Sequence, residues 1–69
     1  MTYEGDVRDP RCIARMINLA YRFNCAPTTI DAQPADEWTR VRIAFSGAPE
    51  SVSRLIAQIG KIVADEAFA

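Results

Sequence analysis

The sequence contains no histidine and no surplus of either charge. Eight basic and nine acidic residues give a net charge of −1. Histidine is the commonest general base, and without one neither cysteine has a partner to activate it, so the composition argues against a catalytic site. A balanced charge also provides no basic excess to neutralise phosphates. We therefore expect neither an enzyme nor a nucleic-acid-binding protein.

Cysteines and long apolar runs are scarce as well. Cys12 and Cys25 lie 13 residues apart, which is not a metal-ligand spacing. We expect both to be buried as small apolar residues, with no disulfide, metal or cofactor. No segment approaches the roughly 20 apolar residues of a membrane span, and the first ten residues lack a signal-peptide pattern. The sequence predicts a cytoplasmic protein that does not associate with membranes.

The chain is rich in apolar residues for its size. Of its 69 residues, 49% are hydrophobic, which favours one globular domain over residues 1–69. A domain this short buries only about 60% of its unfolded surface, so its core alone is marginal. Small apolar domains with few covalent constraints often complete their burial against a partner.

The first half of the chain predicts a strand, a helix and a second strand. Residues 2–8 alternate, with Tyr3, Gly5 and Val7 on one face. Asp9 is a good N-cap and Pro10 suits the first helical position. A helical stripe then covers residues 11–23 through Ile13, Met16, Ile17, Ala20 and Phe23, and Asn24 can close it in the left-handed conformation. Residues 26–33 follow as a strand with Thr28, Ile30 and Ala32 on one face, and Pro27 favours the edge of the sheet.

The second half predicts a strand, a helix and a weaker strand. Residues 38–46 alternate, with Thr39, Val41, Ile43 and Phe45 facing inward. Residues 49–61 carry a helical stripe of Val52, Leu55, Ile56 and Ile59, and Gly60 marks its end. The last strand is assigned to Ile62–Phe68, although Asp65 and Glu66 fit a buried strand poorly.

This order of elements predicts an α+β fold. Strand, helix, strand, strand, helix, strand with right-handed crossovers gives a ferredoxin-like βαββαβ layout, a two-layer sandwich with a four-stranded antiparallel sheet. Both helices then cover one face of the sheet and leave the other face open. The open face is expected to carry Glu4, Asp6, Arg8, Trp38, Arg40 and Arg42.

The open face holds the strongest candidates for partner contact: Trp38, Arg40, Arg42, Glu4 and Arg8. Tryptophan and arginine are enriched at protein–protein hot spots. Equally, Trp38 is compatible with a purely local role, half covered by the turn at residues 34–37. Sheet-face RNA binding would need aromatic residues on the strand, and Val41 and Ile43 are not aromatic.

The chain resembles a known family over residues 7–64. The stretch DPRCIARMINLAYRFNCAPTTIDAQPADEWTRVRIAFSGAPESVSRLIAQIGKIV resembles the ACT domain, and most of all that of acetolactate synthase small subunits. The similarity lies in Ile13 with Arg15, Leu19, Pro34, Arg42-Ile43, Ser51-Val52 and the run Gln58-Ile59-Gly60-Lys61-Ile62-Val63.

The resemblance implies a non-catalytic regulatory or activating subunit of a large thiamine-diphosphate enzyme in branched-chain amino-acid biosynthesis. Many members bind valine or another end product between two ACT domains. The equivalent effector-loop residues here are Asp9, Pro10, Arg11, Cys12, Ile13, Asn24 and Ala26. Arg11 stands where the family has a glycine that lets the backbone approach the ligand. Ala26 stands where the family has an asparagine, so we expect weak or no valine feedback.

Two other hypotheses remain open. The chain could be a free-standing homodimer that senses an amino acid or another small effector. It could also be an enzyme or carrier of another kind, because this layout hosts many functions. In each case we expect a homodimer through a sheet edge, since an unpaired edge is a liability.

Overall fold

The computed structural model describes residues 1–68 of the chain, and the side chains of residues 1–65. Three strands and two helices follow one another along the chain as β1–α1–β2–β3–α2. Their bounds are β1 Thr2–Val7, α1 Arg11–Arg22, β2 Ala26–Pro34, β3 Thr39–Ser46 and α2 Pro49–Phe68. The α+β class is therefore as predicted.

The three strands form one antiparallel sheet in the order β1-β3-β2. β1 pairs with β3 in a continuous register from Thr2 opposite Ala44 to Val7 opposite Thr39. β2 lies at an edge, as Pro27 predicted, and its register against β3 shifts by one residue between Pro27 and Thr29. Thr28 is the extra residue of this bulge.

One face of the sheet forms the core with both helices. The inward positions of β3 are buried as the alternation predicted, and they pack with Val7 of β1. α1 contributes Cys12, Met16 and Ala20, and α2 contributes Val52, Leu55 and Ile59. α1 packs against β2 and α2, whereas α2 packs against β1. The opposite face of the sheet carries no helix, and we call it the open face.

Helix α1 ends in the conformation that Asn24 predicted. Asn24 has a φ of 57° and donates its backbone N–H to Tyr21 O at 3.1 Å. Cys25 donates to Ala20 O at 2.9 Å. These two hydrogen bonds form a Schellman motif, in which asparagine takes the left-handed position usual for glycine. The motif turns the chain directly into β2.

The predicted fourth strand is wrong, because residues 62–68 continue helix α2. Gly60 does not end the helix either. The apolar spacing of Leu55, Ile56 and Ile59 continues through Ile62 and Val63, and all five residues are buried or packed against the core. Burial of this apolar stripe stabilises the helix by more than the internal glycine costs, which is about 1 kcal/mol relative to alanine.

The sheet consequently has three strands among the described residues. The layout is compatible with a ferredoxin-like fold that lacks its last strand. In that layout the fourth strand would pair with the outer edge of β1. Here β1 and β2 are both edge strands.

Candidate docking surface

The open face presents alternating charges in cross-strand rows. The register places Glu4, Arg42 and Asp31 side by side on β1, β3 and β2. The next row holds Asp6, Arg40 and Gln33. Because opposite residues on an antiparallel sheet project to the same face, these side chains form one polar surface.

Arg40 connects the two acidic residues of β1. Its Nη2 donates to Glu4 Oε1 at 3.2 Å, and its Nη1 lies 3.6 Å from Asp6 Oδ1. All three side chains are between 48% and 59% exposed. Exposed ion pairs add little stability because water screens them. They place the Arg40 guanidinium beside both carboxylates of β1.

Trp38 lies against Arg8 just beyond the paired ends of β3 and β1. The Arg8 guanidinium carbon is 5.2 Å from the centre of the indole ring, within cation–π range. The indole is 37% exposed. The contact fixes a large aromatic surface at the end of the sheet with part of it open to solvent.

Four of the five predicted partner-contact residues thus come together in two interacting pairs. We name this set the tryptophan patch: Arg8, Trp38, Arg40 and Glu4. Aromatic and arginine side chains held in fixed positions lose little conformational entropy on binding, which is what an interface anchor requires. The patch therefore has residue types that are typical of an interface anchor.

Arg42 lies apart from these pairs. No carboxylate oxygen of the residues with described side chains comes within 4.0 Å of its guanidinium. It lines a shallow depression of about 270 Å³ together with Thr2, Thr29, Asp31 and Ala44. Sequence reasoning missed Thr2, Thr29 and Asp31 as surface neighbours of Arg42, because the registers of β1 and β2 against β3 bring them there.

The first group of effector-loop residues lies between β1 and α1. Asp9 accepts hydrogen bonds from the backbone N–H of Arg11 at 3.0 Å and from Arg11 Nε at 3.0 and 3.2 Å. The hydrogen bonds from Arg11 hold the pKa of the Asp9 carboxyl below its ordinary value and raise the pKa of Arg11. Asp9 therefore acts as a cap, although the helix itself begins at Arg11 after Pro10.

Arg11 does not fill a pocket. Its side chain is 91% exposed and turns back onto Asp9, with Nη2 2.9 Å from Oδ2. Cys12 is buried in the core and Ile13 is half-buried against it. Arg11 therefore points to solvent beside Asp9 in the single chain, and weak or no valine feedback stays a prediction.

The second group, Asn24 and Ala26, lies at the other end of α1. A helix of 12 residues is about 18 Å long, so it separates this group from Asp9–Ile13. Both residues are exposed, and Ala26 O accepts a hydrogen bond from Ser46 Oγ at 3.5 Å. The chain on its own does not assemble the two groups into one site.

Cys12 and Cys25 are buried, 6% and 3% exposed, and no disulfide joins them. Over the described part of the chain, no cluster of three or more histidine, cysteine, aspartate or glutamate residues could hold a metal ion. Neither helix, within the described residues, is long and apolar enough to cross a membrane.

Comparison with known proteins adds no relative: no protein-family model, no curated protein and no solved structure matches the chain.

Proposed function

We propose that the chain is a non-catalytic accessory subunit that binds a larger enzyme through the tryptophan patch. The observation that carries the proposal is the exposed indole of Trp38, fixed by Arg8 at 5.2 Å beside the ion-paired Arg40. Tryptophan and arginine are enriched at protein–protein hot spots, and the cation–π contact places these two residue types together on the surface.

The partner we propose is a large thiamine-diphosphate enzyme of the acetolactate synthase type. This part of the proposal is supported by the resemblance of residues 7–64 to the small subunits of those enzymes. The subunit would act in the cytoplasm and change the rate of the large enzyme, with weak or no valine feedback. The Asp9–Arg11 ion pair supports this last point, because it already occupies the charged groups of the β1–α1 loop.

Co-expression with a tagged large subunit from the same organism tests the proposal. We expect the chain to co-purify with the enzyme and to change its turnover. Trp38→Ala should weaken the complex, whereas Tyr21→Ala should not, because Tyr21 is an aromatic residue of α1 that is 64% exposed on the helical layer and not on the open face. Absence of co-purification and of any rate effect would contradict the proposal.

A second candidate function is a homodimeric sensor of an amino acid or other small effector. The observation that favours it is the separation of Asp9–Ile13 from Asn24 and Ala26 by α1, since only a second copy could bring the two groups together. Antiparallel pairing of two β2 edges would do so. β2 runs from the Ala26 end of the sheet to the end that holds the β1–α1 loop.

A thermal-shift panel of twenty amino acids tests this second function. A ligand that binds only the folded dimer raises its melting temperature by mass action. We expect no shift above the scatter of the control if the accessory function holds. A concentration-dependent rise with one amino acid, lost in Ala32→Pro at the β2 edge, would favour the sensor instead.

A further inference from the structure

The outer edge of β1 carries unpaired backbone groups. Met1 and Phe45 bond each other through both backbone N–H and C=O, with N···O distances of 2.9 and 3.4 Å. Hydrogen-bonded and non-hydrogen-bonded pairs alternate along an antiparallel ladder. Tyr3, Gly5 and Val7 therefore bond to β3. The N–H and C=O groups of Thr2, Glu4 and Asp6 point away from the sheet.

The β1 edge is regular where the β2 edge is not. β2 is interrupted by its bulge at Thr28 and ends at Pro34, which has no N–H to donate. These are common devices that protect an edge from further pairing. β1 has neither a bulge nor a proline from Thr2 to Val7. A strand added at β1 therefore meets a regular run of six residues, whereas a strand added at β2 meets the bulge at one end and a proline at the other.

A second copy of the chain does not suit the β1 edge. Antiparallel pairing of two β1 strands would set Glu4 and Asp6 of one copy beside the same carboxylates of the other. Like charges opposite each other on a sheet are destabilising. Arg40 engages only Oε1 of Glu4 and Oδ1 of Asp6, so each carboxylate keeps an oxygen for a further cation.

The helix side of the same edge is apolar. A Cβ at Gly5 would lie 2.6 Å from the Tyr3 hydroxyl, so the Tyr3 ring lies along the strand over Gly5. Helix α2 packs on β1 and keeps Ile56 and Val63 only half-buried. These half-buried apolar side chains lie on the helix side of the sheet, in the helix that contacts β1.

We propose that the β1 edge binds an extended segment of the partner chain in which basic and apolar residues alternate. Its basic side chains would meet Glu4 and Asp6 on the open face, and its apolar side chains would pack under α2. This mode of binding is β-strand addition, in which backbone hydrogen bonds supply affinity and alternate side chains supply specificity. The inference deepens the proposed function and rests on it for the existence of a partner.

A model peptide tests the edge directly. The probe is a blocked seven-residue peptide of alternating lysine and valine, with two controls: the same composition in two blocks, and alternating glutamate and valine. We expect only the first peptide to bind. On binding, amide exchange at Glu4 and Asp6 should slow at least tenfold, with less change at Tyr3 and Gly5, whose N–H groups already bond to β3. Slowed exchange at Ile30 and Ala32 instead would overturn the proposal.

Two proline variants distinguish peptide binding at the β1 edge from binding at the β2 edge. Glu4→Pro removes an outward N–H and leaves the ladder to β3 intact, and Ala32→Pro does the same at the β2 edge. We expect Glu4→Pro to weaken peptide binding at least tenfold and Ala32→Pro to leave it unchanged. Equal binding by both variants would refute the edge assignment.

Glu4→Lys provides a variant that keeps the full backbone. It should weaken the lysine peptide and strengthen the glutamate peptide, and a failure to shift the preference would also contradict the proposal. Peptide binding without co-purification of the large enzyme would contradict the proposed function but support strand addition at the β1 edge. Co-purification that neither Glu4→Pro nor Glu4→Lys weakens would support the proposed function and contradict binding at the β1 edge.

Discussion

At the scale of the residue, Gly47 and Cys25 hold the junction between β3 and α2 against the end of α1. Gly47 has a φ of 155°, and a Cβ there would lie 2.9 Å from Cys25 Sγ. Cys25 is itself 3% exposed and follows the Schellman turn. Neither the backbone conformation nor the space tolerates a side chain at position 47.

Gly47→Ala should therefore destabilise the protein. The expected loss is about 1–3 kcal/mol, the range for a strained backbone position combined with overpacking. Urea unfolding followed by circular dichroism measures it. An unchanged midpoint would contradict the close packing of Gly47 against Cys25.

Asp9 and Arg11 make a prediction about pH. The hydrogen bonds from Arg11 lower the pKa of Asp9 in the folded state. A lowered folded pKa means that the carboxylate stabilises the fold above its unfolded pKa, and that this contribution is lost as pH falls through the folded pKa. We expect Arg11→Ala to raise the pKa of Asp9, measured by NMR titration of its side-chain carboxyl carbon. No rise in that variant would mean that the ion pair does not form in solution.

At the scale of the element, the strands were easier to predict than the end of α2. Strict alternation in residues 2–8 and 38–46 predicted β1 and β3 and their buried faces, because a strand half in water must alternate. The end of α2 was predicted wrongly because glycine commonly follows the last residue of a helix, and Gly60 fits that pattern. The stripe through Ile59, Ile62 and Val63 was the stronger signal, since burial of apolar side chains outweighs a single glycine.

The helical assignment predicts that Gly60→Ala stabilises the protein. A Cβ at Gly60 would meet nothing within 4 Å, so alanine removes backbone entropy from the unfolded chain at no steric cost. We expect a gain of about 0.4–1 kcal/mol in unfolding free energy, measured by urea denaturation. A loss of stability would indicate that the helix ends near Gly60 after all. Gly47→Ala, with the opposite expected sign, is the matched control.

The side chains of the open face were predictable only where the alternation along a strand decides which face they lie on. Alternation alone put Glu4, Arg40 and Arg42 on the open face. The depression beside Arg42 was not predictable, because it depends on the bulge at Thr28. A shift of one residue moves every side chain of a strand to the other face. The bulge is what sets Asp31 opposite Arg42 and keeps Ile30 on the side of the core.

At the scale of the whole molecule, the described residues form a small core with one bare sheet face and two free edges, and these are the surfaces that we propose for partners. The tryptophan patch gives the bare face an anchor, and the regular β1 edge gives a partner a ladder to extend. The β2 edge, interrupted by its bulge and ended by Pro34, is the less regular of the two edges. The tryptophan patch and the β1 edge share Glu4, so a single partner could contact both surfaces.

We propose that the tryptophan patch binds a partner, and calorimetric titration of the chain into the purified large subunit tests this most directly. Trp38→Ala should weaken binding by about 1–3 kcal/mol, roughly 5- to 150-fold in Kd. Tyr21→Ala, which removes an exposed aromatic side chain from the other layer, should leave Kd within twofold of the unmodified chain. Equal affinities for all three proteins would contradict the account.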